Sequence, residues 1–487
     1  MTDQREGDEL APEHSLPPPP PQKKDPHRDS CMVSFAGVAG NMLEWFDFSC
    51  FGYFSDVIAT NFFPPDQGGH AALIQSFAVF GLAFLARPIG GAIIGQMGDK
   101  SGRKLALETA LILMAFPTFF MGCLPTFSLV GYAATALLVL CRIAQGLSVG
   151  GQVMTSVVFT LERKDKSRWG LWGSAVAAAS GAGVTLGSLF SYILRETLTD
   201  DQLNSWGWRI PFFFGVLGVV PGLYLKKHGK EHAFLEAEGT SVGLDDGQRG
   251  PPRRHESVIS ESFSRKNRRA LVAAMLVGAL PAAAYYVIFI WLAIFMETIA
   301  NPPVPHAFAI NTAAGALGVL GTVLGGWIAD CHGHYVRLMI LSGIGLAISS
   351  PLLLRAIEGG NPVVAFFSQC SLGFFACVWN GSMLPWMVSS FPPSLRLTSV
   401  SIGYNAAVCV FGGFAPTFAT ILVDRYDAGA TGLYLTVLAV LSIVGLLIAP
   451  KRLPKDQEVH AGNGISLVES NTKHAGGDEA TSEGVIA

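Results

Sequence analysis

Charge is what this chain has little of. Only 14% of its 487 residues are Asp, Glu, Lys or Arg, well under the quarter or so found in soluble domains. That scarcity excludes an ordinary water-soluble globular protein. The formal net charge of −3 leaves no basic excess and excludes a general nucleic-acid binder. The eight cysteines are scattered and none forms a C-x-x-C pair, so neither a disulfide framework nor a thiolate metal site is expected. There is no H-E-x-x-H helix and no phosphate-binding loop, so neither metalloprotease nor nucleotide chemistry is indicated. No catalytic, metal or cofactor residues are expected, and the chain reads as a non-enzyme. The first 30 residues are rich in Pro and acid and lack an apolar core, unlike a secretory signal.

Half the residues are hydrophobic, and they come in long runs. A membrane helix needs about 20 mostly apolar residues. Twelve stretches qualify, the first over about 33–60 and the last over about 430–449. The expected organisation is a disordered cytosolic tail (1–31), a six-helix bundle (32–228), a cytosolic loop (229–269), a second six-helix bundle (270–450) and a second tail (451–487). Placing both termini in the cytosol puts 27 of the 33 Lys and Arg on that side, as the positive-inside rule requires. The glycine-rich run Gly173–Ser188 suggests close helix–helix packing.

A repeat supports the division. "GQMGDKSGRK" follows the second run and "GWIADCHGHY" follows the eighth, so that Gly95, Asp99 and Gly102 align with Gly326, Asp330 and Gly333. Such a layout suits a secondary transporter with its site between the halves.

Two acids, Glu44 and Asp47, stand inside the first apolar run in "GNMLEWFDFSCFGYFS", and Arg142 stands inside the fourth. Ionisable groups at such depth cost several kcal/mol and mark function by default. Glu44 and Arg142 lie at similar depth, so a pair between them is expected. When solute takes the arginine, the stranded carboxylate takes a proton, which links the two movements. Asn41, Glu44 and Phe48 recur at helical spacing and form a candidate cavity wall. Arg87, near the inner end of the second run, is expected to snorkel to the headgroups.

These motifs resemble the major facilitator superfamily. "GDKSGRK" is similar to that superfamily's loop signature and "RIAQGLSVGG" to its fourth-helix motif. "GNMLEWFDF", "RPIGG", "WGWRIPFF" and "SIGYNAAVCVFGGFAP" resemble the metabolite:proton symporter branch. The branch usually has Tyr at Phe46 and Glu at Gln152.

The resemblance implies an all-α membrane fold of twelve helices in two bundles. It implies proton symport of a small organic acid or zwitterion, with protons as the coupling ion. It further implies a conformational latch of Gly95, Asp99, Gly102, Arg103, Glu162 and Asp330. Asp99 would face a helix N-terminus of the other half, and Arg103 would pair with Glu162. Candidate solute contacts are Asn41, Arg142, Gln145, Tyr286, Trp379, Asn380, Tyr404 and Asn405. The expected partners are a small solute and the plasma-membrane bilayer, with the chain acting as a monomer. An uncoupled facilitator and a non-transporting sensor on the same fold remain alternatives.

Overall fold

The computed structural model describes residues 26–65, 69–101, 103–150, 152–162, 164–218, 258–392 and 396–450. Among these there is no β-strand. In hydrocarbon every backbone N–H and C=O must be satisfied within its own segment, and a helix does this unaided.

Among the described residues, nine helical stretches are long and apolar enough to cross a bilayer. Numbered by order in the twelve-span scheme, they are span 2 (Ala71–Gly91), span 4 (Tyr132–Val158), span 5 (Lys166–Thr197) and span 7 (Arg265–Ile299). Span 8 (Ala307–His332), span 9 (Tyr335–Ile357), span 10 (Pro362–Ser389), span 11 (Arg396–Arg425) and span 12 (Ala428–Ile448) complete them. The other three expected spans fall on Pro26–Tyr53 with Ser55–Phe62 (span 1), on Arg103–Cys123 (span 3), and on a helix that starts at Ile210 (span 6). The last runs out of the described residues after Gly218.

The loop expected over 229–269 is partly helical. A short helix, Val258–Ser262, precedes span 7, which already begins at Arg265. The buried Ser262 hydroxyl accepts from Ser399 of span 11 at 3.0 Å, which ties this helix to the second bundle.

Small residues set the packing. Gly146 and Gly150 on span 4 press against the backbone of Ala83 and Arg87 on span 2. Gly90 on span 2 presses against Leu147. Glycines four apart let two helix backbones meet where any side chain would hold them apart. On span 5, Gly183 and Gly187 meet Met42 and Ser49 of span 1, while Gly170 meets Gly326 of span 8. Span 5 is thus a wedge between its own bundle and the other one. A second seam joins span 2 to span 11, where Gly81 meets Gly413 and Phe414.

Candidate functional site

The close approach of spans 2 and 4 delivers two arginines into the first bundle. Arg87 and Arg142 are 1% and 0% exposed. Arg87 does not snorkel. Its guanidinium lies 5.7, 5.8 and 5.1 Å from the ring centroids of Trp45, Phe48 and Phe84. Its Nε and Nη1 have no hydrogen-bond partner. The short reach from the Gly150 contact, with aromatic faces at hand, favours this inward placement over a longer path to headgroups.

Glu44 is 3% exposed, and neither of its carboxylate oxygens has a partner. The cation whose field acts on it is Arg87. The expected Glu44–Arg142 pair is absent. Arg142 instead donates to Gln145 Oε1 at 2.9 Å and to the Phe80 carbonyl at 3.2 Å. Its guanidinium faces Phe48 and Phe51, each 4.4 Å away, and Phe80 at 5.1 Å. Gln145 in turn donates to Thr118 of span 3 at 2.8 Å. Depth along a helix was legible in the sequence, but rotation about its axis was not. That rotation turns Arg142 into its own bundle.

Asp47 is also buried, with its carboxylate against Gly215 at the start of span 6. It lies within electrostatic reach of Glu44. An orphaned buried ion is costly, by several kcal/mol each before compensation. Glu44, with both oxygens unpartnered, thus sits in the field of Arg87, two of whose nitrogens are unpartnered as well.

The second bundle closes over this pair with aromatic hydroxyl groups. Trp45 stacks on Tyr286 at 6.3 Å and meets Tyr285 edge-on at 6.1 Å. Tyr286 also meets Phe84 at 5.0 Å and stands beside Arg87. Tyr404 lies within electrostatic reach of Arg87 and Glu44. Tyr285 and Arg87 are site residues that the candidate set omitted. Their signal was the "RPIGG" motif and the doubled tyrosine.

The other candidates separate. Asn41 donates to Ser180 of span 5 at 2.7 Å, inside the first bundle. Asn405 donates to the Gly150 carbonyl at 2.8 Å and so bridges the bundles rather than facing a solute. Trp379 packs on Gly343 of span 9, away from the seam. The indole needs a gap to enter, and Gly343 supplies it. Asn380 lines a cavity of about 10 Å³ between the bundles, with Tyr53, Thr185, Tyr285 and Asn311. The Gly-x-Ser-x-Gly spacing at Gly146–Gly150 is no nucleophile elbow: Ser148 is buried in span 4 and donates to the Ala110 carbonyl.

Among the described residues, contacts between the bundles stand at both ends of the seam. At one end Asp330 accepts from the backbone N–H groups of Gly170 and Leu171, at 2.7 Å each. These are the first residues of the helix Trp169–Thr197, where partial positive charge gathers. The Tyr335 hydroxyl donates to the same carboxylate. The side chains of Asp99, Arg103 and Glu162, with Gly95 and Gly102, lie outside the described residues. At the other end the Tyr53 hydroxyl donates to the Phe289 carbonyl at 2.6 Å, across the bundles. Phe289 sits in a π-helical turn, Val287–Trp291, whose wider winding frees carbonyls for such use. Asn311 donates to the same carbonyl at 3.1 Å and to Ser188 of span 5 at 2.8 Å.

Comparison with known proteins agrees with this architecture. The family model of the Major Facilitator Superfamily matches residues 38–416. A putative proline/betaine transporter of Staphylococcus aureus is 30% identical over 410 residues, covering 84% of this chain and 85% of its own. A citrate-proton symporter of Klebsiella pneumoniae is 28% identical over 413 residues, covering 84% and 89%. The crystal structure of the proton:xylose symporter XylE has the same fold, with a TM-score of 0.66 at 18% identity, covering 88% of this chain and 96% of its own. The chain belongs to the major facilitator superfamily and is a multi-pass secondary transporter of the membrane, not an enzyme.

Proposed function

We propose that the chain carries a small organic acid or zwitterion together with a proton by alternating access. The observation that carries this reading is the pair Glu44 and Arg87, both buried, with both carboxylate oxygens of Glu44 and the Nε and Nη1 of Arg87 lacking hydrogen-bond partners while Arg87 also reaches Tyr286. Arg87 is the cation whose field acts on Glu44. A solute carboxylate that takes Arg87 deprives Glu44 of its cation. Glu44 then accepts a proton, and the loaded site crosses with less exposed charge. Release of the solute returns Arg87 to Glu44 and expels the proton. Solute and proton are linked because they compete for the same guanidinium field.

The Asp330 clasp and the Tyr53–Phe289 contact are the two gates of this cycle. One must open while the other holds. The positive-inside count favours both termini and the clasp on the cytosolic side, and the membrane proposed is the plasma membrane. A single chain contains the whole site, so a monomer suffices, with protons as the coupling ion and no other cofactor.

The test is solute-dependent proton movement in proteoliposomes, with a panel of carboxylates and zwitterions. Wild type moves protons with one member of the panel, and Glu44→Gln moves the solute, if at all, without them. Solute flux with no proton movement in either protein would sink the symport reading and leave a facilitator.

A further inference from the structure

The site offers an aromatic enclosure, which in general receives cations on its ring faces. Here those faces are already in use. Trp45, Phe48 and Phe84 face the Arg87 guanidinium, and Phe48, Phe51 and Phe80 face that of Arg142. Tyr286 covers Trp45 from the other bundle and also lies in the field of both arginines. A solute cation entering this enclosure would meet two guanidinium charges before it met a free ring.

The charge balance points the same way. The enclosure holds two acids, Glu44 and Asp47, and two arginines, Arg87 and Arg142, all at most 3% exposed. With both acids ionised the four groups cancel. A single proton shared by the two acids, with the other acid ionised, leaves one positive charge uncompensated in a dry site. One carboxylate cancels it. A zwitterion does not, because it brings as much positive charge as negative. The open nitrogens of Arg87, Nε and Nη1, are donors awaiting an acceptor of this kind.

We propose that this site selects a solute with a single carboxylate and no fixed positive charge, and turns away quaternary-ammonium zwitterions. The inference rests on the solute site proposed above and narrows its ligand. It sets this chain apart from the relative named as a putative proline/betaine transporter.

A pair of isosteres tests it. Glycine betaine and 3,3-dimethylbutanoate have the same shape, the quaternary nitrogen of one being a quaternary carbon in the other. Each is titrated onto the purified full-length chain in detergent while the melting temperature is followed. The carbon compound is expected to stabilise the protein at concentrations at least about tenfold below those betaine requires, which is the scale of a misplaced buried cation. Betaine binding as tightly or more tightly overturns the proposal, and so does a flat response to both. The comparison uses wild-type protein and reads no proton movement, so its failure is separate from that of symport. If betaine binds better and drives proton movement, the selectivity is wrong and symport stands. If the carbon compound binds better but no solute moves protons, selectivity stands and symport falls. As a second arm, Arg87→Gln is expected to lose the preference for the carbon compound, with Arg87→Lys retaining part of it.

Discussion

At the middle of the seam the two bundles are built from different chemistry. The first supplies Glu44, Asp47, Arg87 and Arg142, all buried and ionisable. The second faces them with Tyr285, Tyr286 and Tyr404, which are neutral near pH 7. The halves repeat in fold but not in polarity. The difference suggests a division of labour: the first bundle handles the proton and the solute's charge, and the second supplies shape and closure.

The largest expected effect breaks that comparison directly. Glu44→Gln keeps the shape of the side chain but removes its titratable group. Solute-driven proton movement should fall to background. Tyr404→Phe, its opposite number, removes one hydroxyl, and should weaken apparent solute affinity by about two- to tenfold while protons still move. If Tyr404→Phe uncouples the cycle, the division of labour is wrong.

Glycine packing sharpens the contrast at the level of stability. Gly146 lies against the Ala83 carbonyl of span 2, so the methyl of Gly146→Ala has no room. Overpacking of this kind costs about 1–3 kcal/mol. It would also push Arg87 out of register with Glu44. Gly321 on span 8 meets only Cys377, at 3.8 Å. There Gly321→Ala should raise the melting temperature slightly, since alanine is the better helix former by about 1 kcal/mol. Equal effects at the two positions would count against the packing account.

Asp330→Asn is the next step down. It keeps one acceptor but loses the negative charge on the helix N-terminus, which is worth about 1–2 kcal/mol in a partly buried setting. Turnover should change while apparent solute affinity stays constant, because the clasp touches no solute. A change confined to affinity would move Asp330 out of the gating role.

Much of this was legible in the sequence, for reasons that differ by residue. The apolar runs set the spans because lipid leaves the backbone no alternative to helix. The repeated loop identified Asp330, and its N-terminal partner on the other half has the chemistry expected for Asp99. Burial of Glu44 was equally plain, since its neighbours offered no polar face. What the sequence could not provide was rotation about each helix axis. Arg142 and Arg87 both stand in helices of nearly all-apolar composition, so no periodicity says which way they turn. The deciding contacts, Gly146 on Ala83 and Gly150 on Arg87, are long-range and glycine-specific. The direction of Trp379 was hidden for the same reason, being set by Gly343 on another helix.

The smallest effect probes closure at the end opposite the clasp. Tyr53 comes from the first bundle, yet there it supplies a neutral hydroxyl, against the division seen at mid-depth. Its bond to the Phe289 carbonyl is backed up, because Asn311 donates to the same oxygen. Tyr53→Phe therefore orphans no carbonyl, and although Asn311 also loses an acceptor at 3.3 Å it keeps Phe289 and Ser188, so the net loss should be about 0.5–1.5 kcal/mol. The ratio of closed to open forms at this end should fall by about two- to tenfold. Spin labels at Thr197 and Tyr426, both exposed and on opposite bundles, would read it as a second, longer distance. Asn311→Ala should do more. It removes the donors to Phe289 and Ser188 and the acceptor of Gln369 at one stroke. If Tyr53→Phe opens this end as far as Asn311→Ala does, the gate depends on the first bundle's tyrosine rather than on the second bundle's amide network.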